Sequence, residues 1–288
     1  MTALCLAPRP TVSPLRMQLP PKACDCHAHV IEPSDVQPFV ENRDYTPPPA
    51  SLADYEKLHK TLGIERAVII QPSFYGTDNT VTLQAIQDYS GECRGVAVVD
   101  DDIEDSALKE MDRAGVRGIR FNLAFAGGVG LESLERMARR IAPLGWHVQL
   151  LVRPETIVEN EDRLKALPVP VVIDHFGLVD ASAGIDQPAV DAMLRLLATD
   201  RVWIKLSGCY RVSVDRPLFK NVVPIAKALI AQAPHRMVWG TDWPHPAMFE
   251  YMPDDGHLMN ALFDYADGED QVRQILVDNP AALYGFAL

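Results

Sequence analysis

Short apolar runs rich in Val, Ile and Leu recur along the chain, and after most of them comes a longer stretch whose apolar residues sit three and four apart. Runs that are apolar throughout suit strands buried on both faces, as in a parallel sheet. The longer stretches have the spacing of amphipathic helices. The predicted strands cover residues 23–29, 67–71, 95–99, 118–122, 148–152, 171–175, 202–206 and 237–242. The predicted helices cover 51–63, 78–89, 106–114, 131–142, 156–167, 188–198 and 222–232, with 270–277 and 279–284 closing the chain. Ser51 is placed to cap the first helix, where Leu52, Tyr55, Leu58 and Leu62 form the apolar face. Eight strand–helix units predict a (β/α)8 TIM barrel. A doubly wound open sheet is the alternative, weakened by the absence of a Gly-x-Gly-x-x-Gly turn after the first strand. The barrel domain is placed at residues 23–288. Ahead of it lies a proline-rich arm, residues 1–22, with five prolines and no periodicity.

Composition narrows the partners. The 288 residues are 48% hydrophobic, enough for one large core. Net charge is −12, from 27 Lys and Arg against 39 Asp and Glu, which argues against nucleic acid or an anionic membrane as partner. No apolar run reaches membrane-spanning length, and no signal-type apolar segment is present near the N-terminus. The five cysteines, Cys5, Cys24, Cys26, Cys93 and Cys209, are scattered, so reduced thiols and a cytoplasmic location are expected.

The chemistry-bearing positions gather at the predicted strand ends. Asp25-Cys26-His27-Ala28-His29 puts two imidazoles two residues apart on the first strand, able to converge on a metal ion or a substrate oxygen. On an unbroken strand Asp25, His27 and His29 share one face, and Cys24, Cys26 and Ala28 the other. His175 ends the sixth strand and Asp242 the eighth. Ser73 follows the second, Arg120 lies at the end of the fourth, and Arg211 follows the seventh. In a (β/α)8 barrel these ends form one mouth, where active sites sit. Each has a structural reading when taken singly. His175 could be a loop histidine, Ser73 a turn residue, Asp242 a loop cap and Arg120 a surface cation, although Ile119 and Phe121 beside it favour burial with an anion. Three histidines and one carboxylate at the same mouth point instead to a functional site.

Three segments carry a resemblance: Asp25-Cys26-His27-Ala28-His29, Ile173-Asp174-His175-Phe176-Gly177, and Trp239-Gly240-Thr241-Asp242-Trp243-Pro244-His245-Pro246. Together they resemble the amidohydrolase superfamily, in its amidohydrolase-2 branch. Gln71-Pro72-Ser73, Gly76-Thr77-Asp78-Asn79 and residues 116–122 are similar to the pyrone-dicarboxylate, sugar-lactone and muconolactone hydrolases of that branch. The resemblance spans roughly residues 22–286. It implies an enzyme of aromatic- or sugar-acid catabolism that opens a small carboxylated lactone. Asp242 would be the general base, and His27, His29 and His175 would polarise the carbonyl. Arg120 and Arg211 would bind substrate carboxylate, with Tyr45 and Ser73 lining the pocket. The alternatives are a metal-dependent non-oxidative decarboxylase of an aromatic or muconate-type acid, a lactone isomerase, or a non-catalytic ligand-binding barrel. The dicarboxylate lactonases carry a second arginine, a tyrosine and an asparagine where this chain has Ala126, Leu151 and Ala247. That difference implies a smaller or less charged lactone with one anionic group, and Arg153 is a candidate substitute cation.

A two-metal site is not expected. Arg120 stands at the end of the fourth strand and cannot ligate a metal. Leu151 ends the fifth strand, and His147 lies at its start. One zinc on His27, His29, His175 and Asp242 is chemically allowed. The resemblance to the lactonases implies a site without metal, which is the favoured expectation.

Overall fold

The computed structural model describes residues 2–288. Eight parallel strands pair in chain order: β1 (Cys24–Ala28), β2 (Arg66–Ile70), β3 (Glu92–Ala97), β4 (Val116–Asn122), β5 (His147–Leu151), β6 (Val171–Ile173), β7 (Val202–Lys205) and β8 (Met237–Val238). The sheet closes on itself just past β8. Cys26 N donates to Trp239 O (2.9 Å), Asp242 N to His27 O (2.8 Å) and His29 N to Trp243 O (2.8 Å). Helices stand between the strands, as expected for a (β/α)8 barrel.

Local chemistry sets the helices. Leu52–Leu62 starts where Ser51 accepts a bond from Asp54 N and stops at Gly63 in the left-handed conformation. The single helix expected at 156–167 is instead two, Pro154–Glu159 and Glu161–Ala166, divided at Asn160, whose backbone leaves the helical region (φ −110°, ψ 12°). A further helix, Asp255–Tyr265, is capped by the Asp254 carboxylate, which accepts from the N–H groups of Gly256 and His257.

Two apolar layers follow from strand alternation. Ala67, Ile69, Ile119, Ile173 and Ile204 face the surrounding helices. Cys24, Cys26, Val68, Ile70, Val96, Val172, Trp203 and Val238 fill the barrel interior, where Ala281, Tyr284 and Phe286 from the end of the chain join them. Arg66 donates to Ala287 O and Arg94 to Gly285 O, which fastens this plug. The strands' N-terminal ends are thereby covered, and the opposite end is left for chemistry.

The expected shared face of Asp25, His27 and His29 is corrected by a bulge. Asp25 pairs with Ala67 but Ala28 with Ile69, so β1 carries one extra residue and its alternation flips. Cys24 and Cys26 point inward below the bulge, and His27 meets the interior groups Asp174 and Lys205 above it. Asp25 faces outward instead, to Tyr55 and His59 of the first helix.

The arm lies on the barrel. Ala3–Leu4 pairs in parallel with Tyr45–Thr46, Leu6 N donates to Met248 O (2.8 Å) and Ser13 N to Asp254 Oδ1 (2.9 Å). It therefore ties the loop after β1 to the segments after β8. Cys5, Cys24, Cys26, Cys93 and Cys209 are free thiols. Among the described residues no helix is long and apolar enough to cross a membrane.

Candidate active site

Three imidazoles surround one carboxylate. His27 Nε2 and His29 Nε2 lie 3.7 and 3.6 Å from Asp242 Oδ1, and His175 Nε2 lies 3.7 Å from Asp242 Oδ2. The His27 ring sits 5.1 Å from that of His29 and 4.6 Å from that of His175. All four side chains are buried, none more than 3% exposed.

The backbone brings them together at the seam where the barrel closes. Asp25, behind the seam, accepts from Thr241 N (2.9 Å), Thr241 Oγ1, His27 N (3.1 Å) and Tyr55 OH (3.0 Å), which locks β1 to the segment after β8. Gly240 permits the approach, since a Cβ there would lie 2.6 Å from His27 N. His29 Nδ1 is 2.7 Å from Ile70 O, and His175 Nδ1 is 2.9 Å from Ser207 Oγ. Asp242 (φ 64°) and His175 (φ 48°) both hold left-handed backbone conformations. For non-glycine residues these cost of order 1–2 kcal/mol and cluster at functional sites.

One oxygen of Asp242 is anchored and the other is not. Tyr210 OH and Arg211 Nε each donate to Oδ2 at 2.6 Å. Oδ1 and the facing His27 Nε2 carry no hydrogen bond among the described residues. Burial alone would raise the Asp242 pKa, but Arg211 and then the histidines outweigh it and hold the carboxyl well below its usual range. Burial pushes His175 down to about 4, against the pull of Asp242, and also lowers His27 and His29. The three histidines are thus neutral and Asp242 is ionised near pH 7.

Beneath this cluster runs a second network that the sequence did not reveal. Arg120 Nε and Nη2 donate to Asp174 Oδ2 at 3.1 and 2.9 Å, and Gln149 Nε2 donates to the same oxygen at 3.0 Å. Lys205 Nζ donates to Gln149 Oε1 (2.8 Å) and lies 3.3 Å from His27 Nδ1. The available signal was a lysine within the apolar run Val202-Trp203-Ile204-Lys205-Leu206, at the same parity as interior Trp203. Tyr45 and Ser73 meet each other, 3.5 Å between their oxygens. Burial raises Tyr45 to about 12, with Arg211 and Arg120 near enough to oppose that rise. Leu151 is buried at the end of β5, while Ala126 donates its N–H to Asp44 (2.7 Å). Arg153 is exposed at the start of the helix Pro154–Glu159, apart from the cluster. His147 is buried at the start of β5, near Tyr284.

The donor set suits one divalent ion. His27, His175 and Asp242 offer ligand atoms within 4.8 Å of one another, and His27 Nε2 and Asp242 Oδ1 are otherwise unengaged among the described residues. Nitrogen and oxygen donors of this kind hold zinc. Arg211 on Asp242 and Lys205 beside His27 place positive charge against two of those ligands, which opposes a dication there.

A closed (β/α)8 barrel with a buried histidine–carboxylate cluster at its C-terminal mouth has the architecture of a barrel enzyme. The amidohydrolase family model matches residues 24–286, and the chain belongs to that family. It is 40% identical over 288 residues to 4-sulfomuconolactone hydrolase of Hydrogenophaga intermedia, covering 98% of this chain and 94% of that protein. It is 37% identical over 280 residues to 2-pyrone-4,6-dicarboxylate hydrolase of Comamonas testosteroni, covering 93% and 92%. A solved apo structure from Agrobacterium tumefaciens superimposes with a TM-score of 0.86 at 27% identity, over 95% of this chain and 99% of that one.

Proposed function

We propose that the chain hydrolyses a small lactone carrying one anionic group, with Asp242 as the general base. One observation carries this: Asp242 is anchored through Oδ2 while Oδ1 faces His27 and His29, unbonded among the described residues. A water held at Oδ1 gives up its proton there as its oxygen attacks the lactone carbonyl. The carbonyl oxygen gains negative charge, the ring C–O bond breaks, and the ring oxygen takes the proton from Asp242. In a water-poor site, donors aimed at the developing oxyanion are worth more than in bulk solvent. The lactone ring comes from the relatives named above. The single anion comes from charge: Arg120, Lys205 and Arg211 stand against Asp174 and Asp242, one more cation than carboxylate. Tyr45 and Ser73 would line the substrate pocket. Four buried thiols, Cys24, Cys26, Cys93 and Cys209, fit a reducing compartment such as the cytoplasm.

The second reading places one zinc on His27, His29, His175 and Asp242, where it would polarise the carbonyl as a Lewis acid. Metal analysis of the purified protein, with lactone opening assayed before and after chelation, separates the two. Activity indifferent to chelation supports the proposal. Activity lost with a stoichiometric zinc overturns the metal-free mechanism, and released carbon dioxide or a rearranged lactone would replace hydrolysis by decarboxylation or isomerisation. Asp242→Asn is expected to lower kcat by about 10²–10⁴-fold with little change in KM.

A further inference from the structure

We infer that Lys205 is a positioning residue that fixes His27 in the tautomer protonated on Nε2, so that His27 donates to the reacting oxygen while His29 presents a bare nitrogen. The donor role it gives His27 rests on the lactonase reading; the tautomer itself does not.

The tautomer follows from a count of donors and acceptors around one buried amine, which the Asp174 carboxylate 3.5 Å away holds as an ammonium against the downward push of burial. Lys205 Nζ has three neighbours: Gln149 Oε1 at 2.8 Å, His27 Nδ1 at 3.3 Å and Asp174 Oδ1 at 3.5 Å. The Gln149 amide is oriented by its own bond, since Nε2 donates to Asp174 Oδ2 and Oε1 must then face Lys205 as acceptor. Asp174 is ionised, held by Arg120, and accepts only. An ammonium has three protons and no lone pair, so the remaining proton points at His27 Nδ1. A proton on Nδ1 would oppose it, which leaves Nδ1 as acceptor and puts the His27 proton on Nε2, the atom that faces Asp242 Oδ1.

His29 is set the other way. Its Nδ1 lies 2.7 Å from Ile70 O, and a carbonyl oxygen can only accept. Neutral His29 therefore carries its proton on Nδ1 and turns a lone pair toward Asp242. The two imidazoles of the His-x-His pair thus do opposite jobs: His27 donates a hydrogen bond to the reacting oxygen, and His29 accepts one from the water whose other proton goes to Asp242. A protonated Nε2 on His27 cannot ligate a metal, so Lys205 also holds one of the four candidate ligands out of service.

The test is a long-range ¹H–¹⁵N correlation spectrum of the full chain, as purified, with ¹⁵N-labelled histidine. His27→Gln and His29→Gln assign the signals. In the wild type, His27 is expected to be protonated on Nε2 and His29 on Nδ1. In Lys205→Met, His27 is expected to switch to Nδ1, donating to Asp174 Oδ1, which lies 3.4 Å away, while His29 stays unchanged. Lys205→Arg, which keeps a donor, is expected to restore the wild-type pattern. A His27 protonated on Nδ1 in the wild type overturns the inference, as does a His27 that does not change in Lys205→Met. The wild-type spectrum decides the tautomer even where a variant fails to fold. Zinc titration against a chromophoric chelator is a second readout. Freeing His27 Nε2 is expected to tighten zinc binding in Lys205→Met by about 10–100-fold, the usual reach of a group that orients a ligand, and unchanged affinity overturns the ligand-blocking role. Neither readout scores lactone opening, so failure of the lactonase reading and failure of this inference are separately visible.

Discussion

Arg211 Nε lies 2.6 Å from Asp242 Oδ2, so two side chains expected to have separate jobs, substrate binding and proton transfer, are bonded to each other. Tyr210 OH donates to the same oxygen. This arrangement leaves Oδ1 unbonded among the described residues and makes Arg211 the main charge opposing the upward push of burial on the Asp242 pKa.

Removing that charge has a signed consequence. In the wild type Asp242 stays ionised through the mildly acidic range, and His175 stays neutral above about 4. The profile of kcat/KM against pH is therefore expected to be flat from about pH 5 to 8 on its acid side, rather than to fall near the usual histidine pKa of about 6.5. In Arg211→Met, burial acts on Asp242 with less opposition and its pKa rises. The acid limb should move toward neutral pH, with activity lost at a higher pH as the solution is acidified. A change in KM alone, with the profile unmoved, would make Arg211 a substrate ligand only.

Arg120 is committed to Asp174, which also accepts from Gln149. Removing one partner of a buried ion pair costs about 3–5 kcal/mol. Arg120→Met is accordingly expected to lower the urea midpoint as well as weaken substrate binding. Full stability with only KM raised would show that Arg120 is free to serve the substrate.

His147 is expected to make stability pH-dependent. Burial is the largest influence on it and lowers its pKa to about 3. In the unfolded chain it titrates near 6.5. Between those values the unfolded chain binds the extra proton, so the contribution is complete above about 6.5 and lost as pH falls toward about 3. A tenfold difference in proton affinity between the folded and unfolded chain is worth about 1.4 kcal/mol, so the effect reaches a few kcal/mol. His147→Gln should lose less of its urea midpoint between pH 7 and 4 than the wild type does, and equal losses would show that His147 does not set the acid sensitivity.

Much of the fold was legible because most barrel strands hold an apolar run and most helices keep their spacing. The helix Asp255–Tyr265 was not, because Gly256 and His257 interrupt its first turn and its capping signal sits in a polar stretch, 253–255. The bulge on β1 left no mark either. One extra residue changes no composition, yet it turned Asp25 outward and brought His27 to Lys205. His27, His29, His175 and Asp242 were legible as strand-end residues and do converge. Asp174, although within a recognised motif, gave no sign of its partners, since Arg120, Gln149 and Lys205 lie on three other strands.

Gly240 tests how tightly the seam controls the site. It sits between β8 and Asp242, and the space a side chain would need is taken: a Cβ would stand 2.6 Å from His27 N, 2.7 Å from His27 Cβ and 3.0 Å from Asp25 Oδ1. Two of those three atoms belong to His27 of the histidine–carboxylate cluster, and the third anchors it from behind. Gly240→Ala must therefore push β1 away from the segment carrying Asp242, against the bonds from Thr241 to Asp25 and from Asp242 N to His27 O. Overpacking of this kind typically costs about 1–3 kcal/mol. A shift of a few tenths of an ångström also separates His27 from Asp242, so kcat is expected to fall at least ten-fold in protein that remains folded. If stability drops while kcat is unchanged, the seam holds the fold without setting the geometry of the cluster. If both fall together, the glycine joins barrel closure to catalysis.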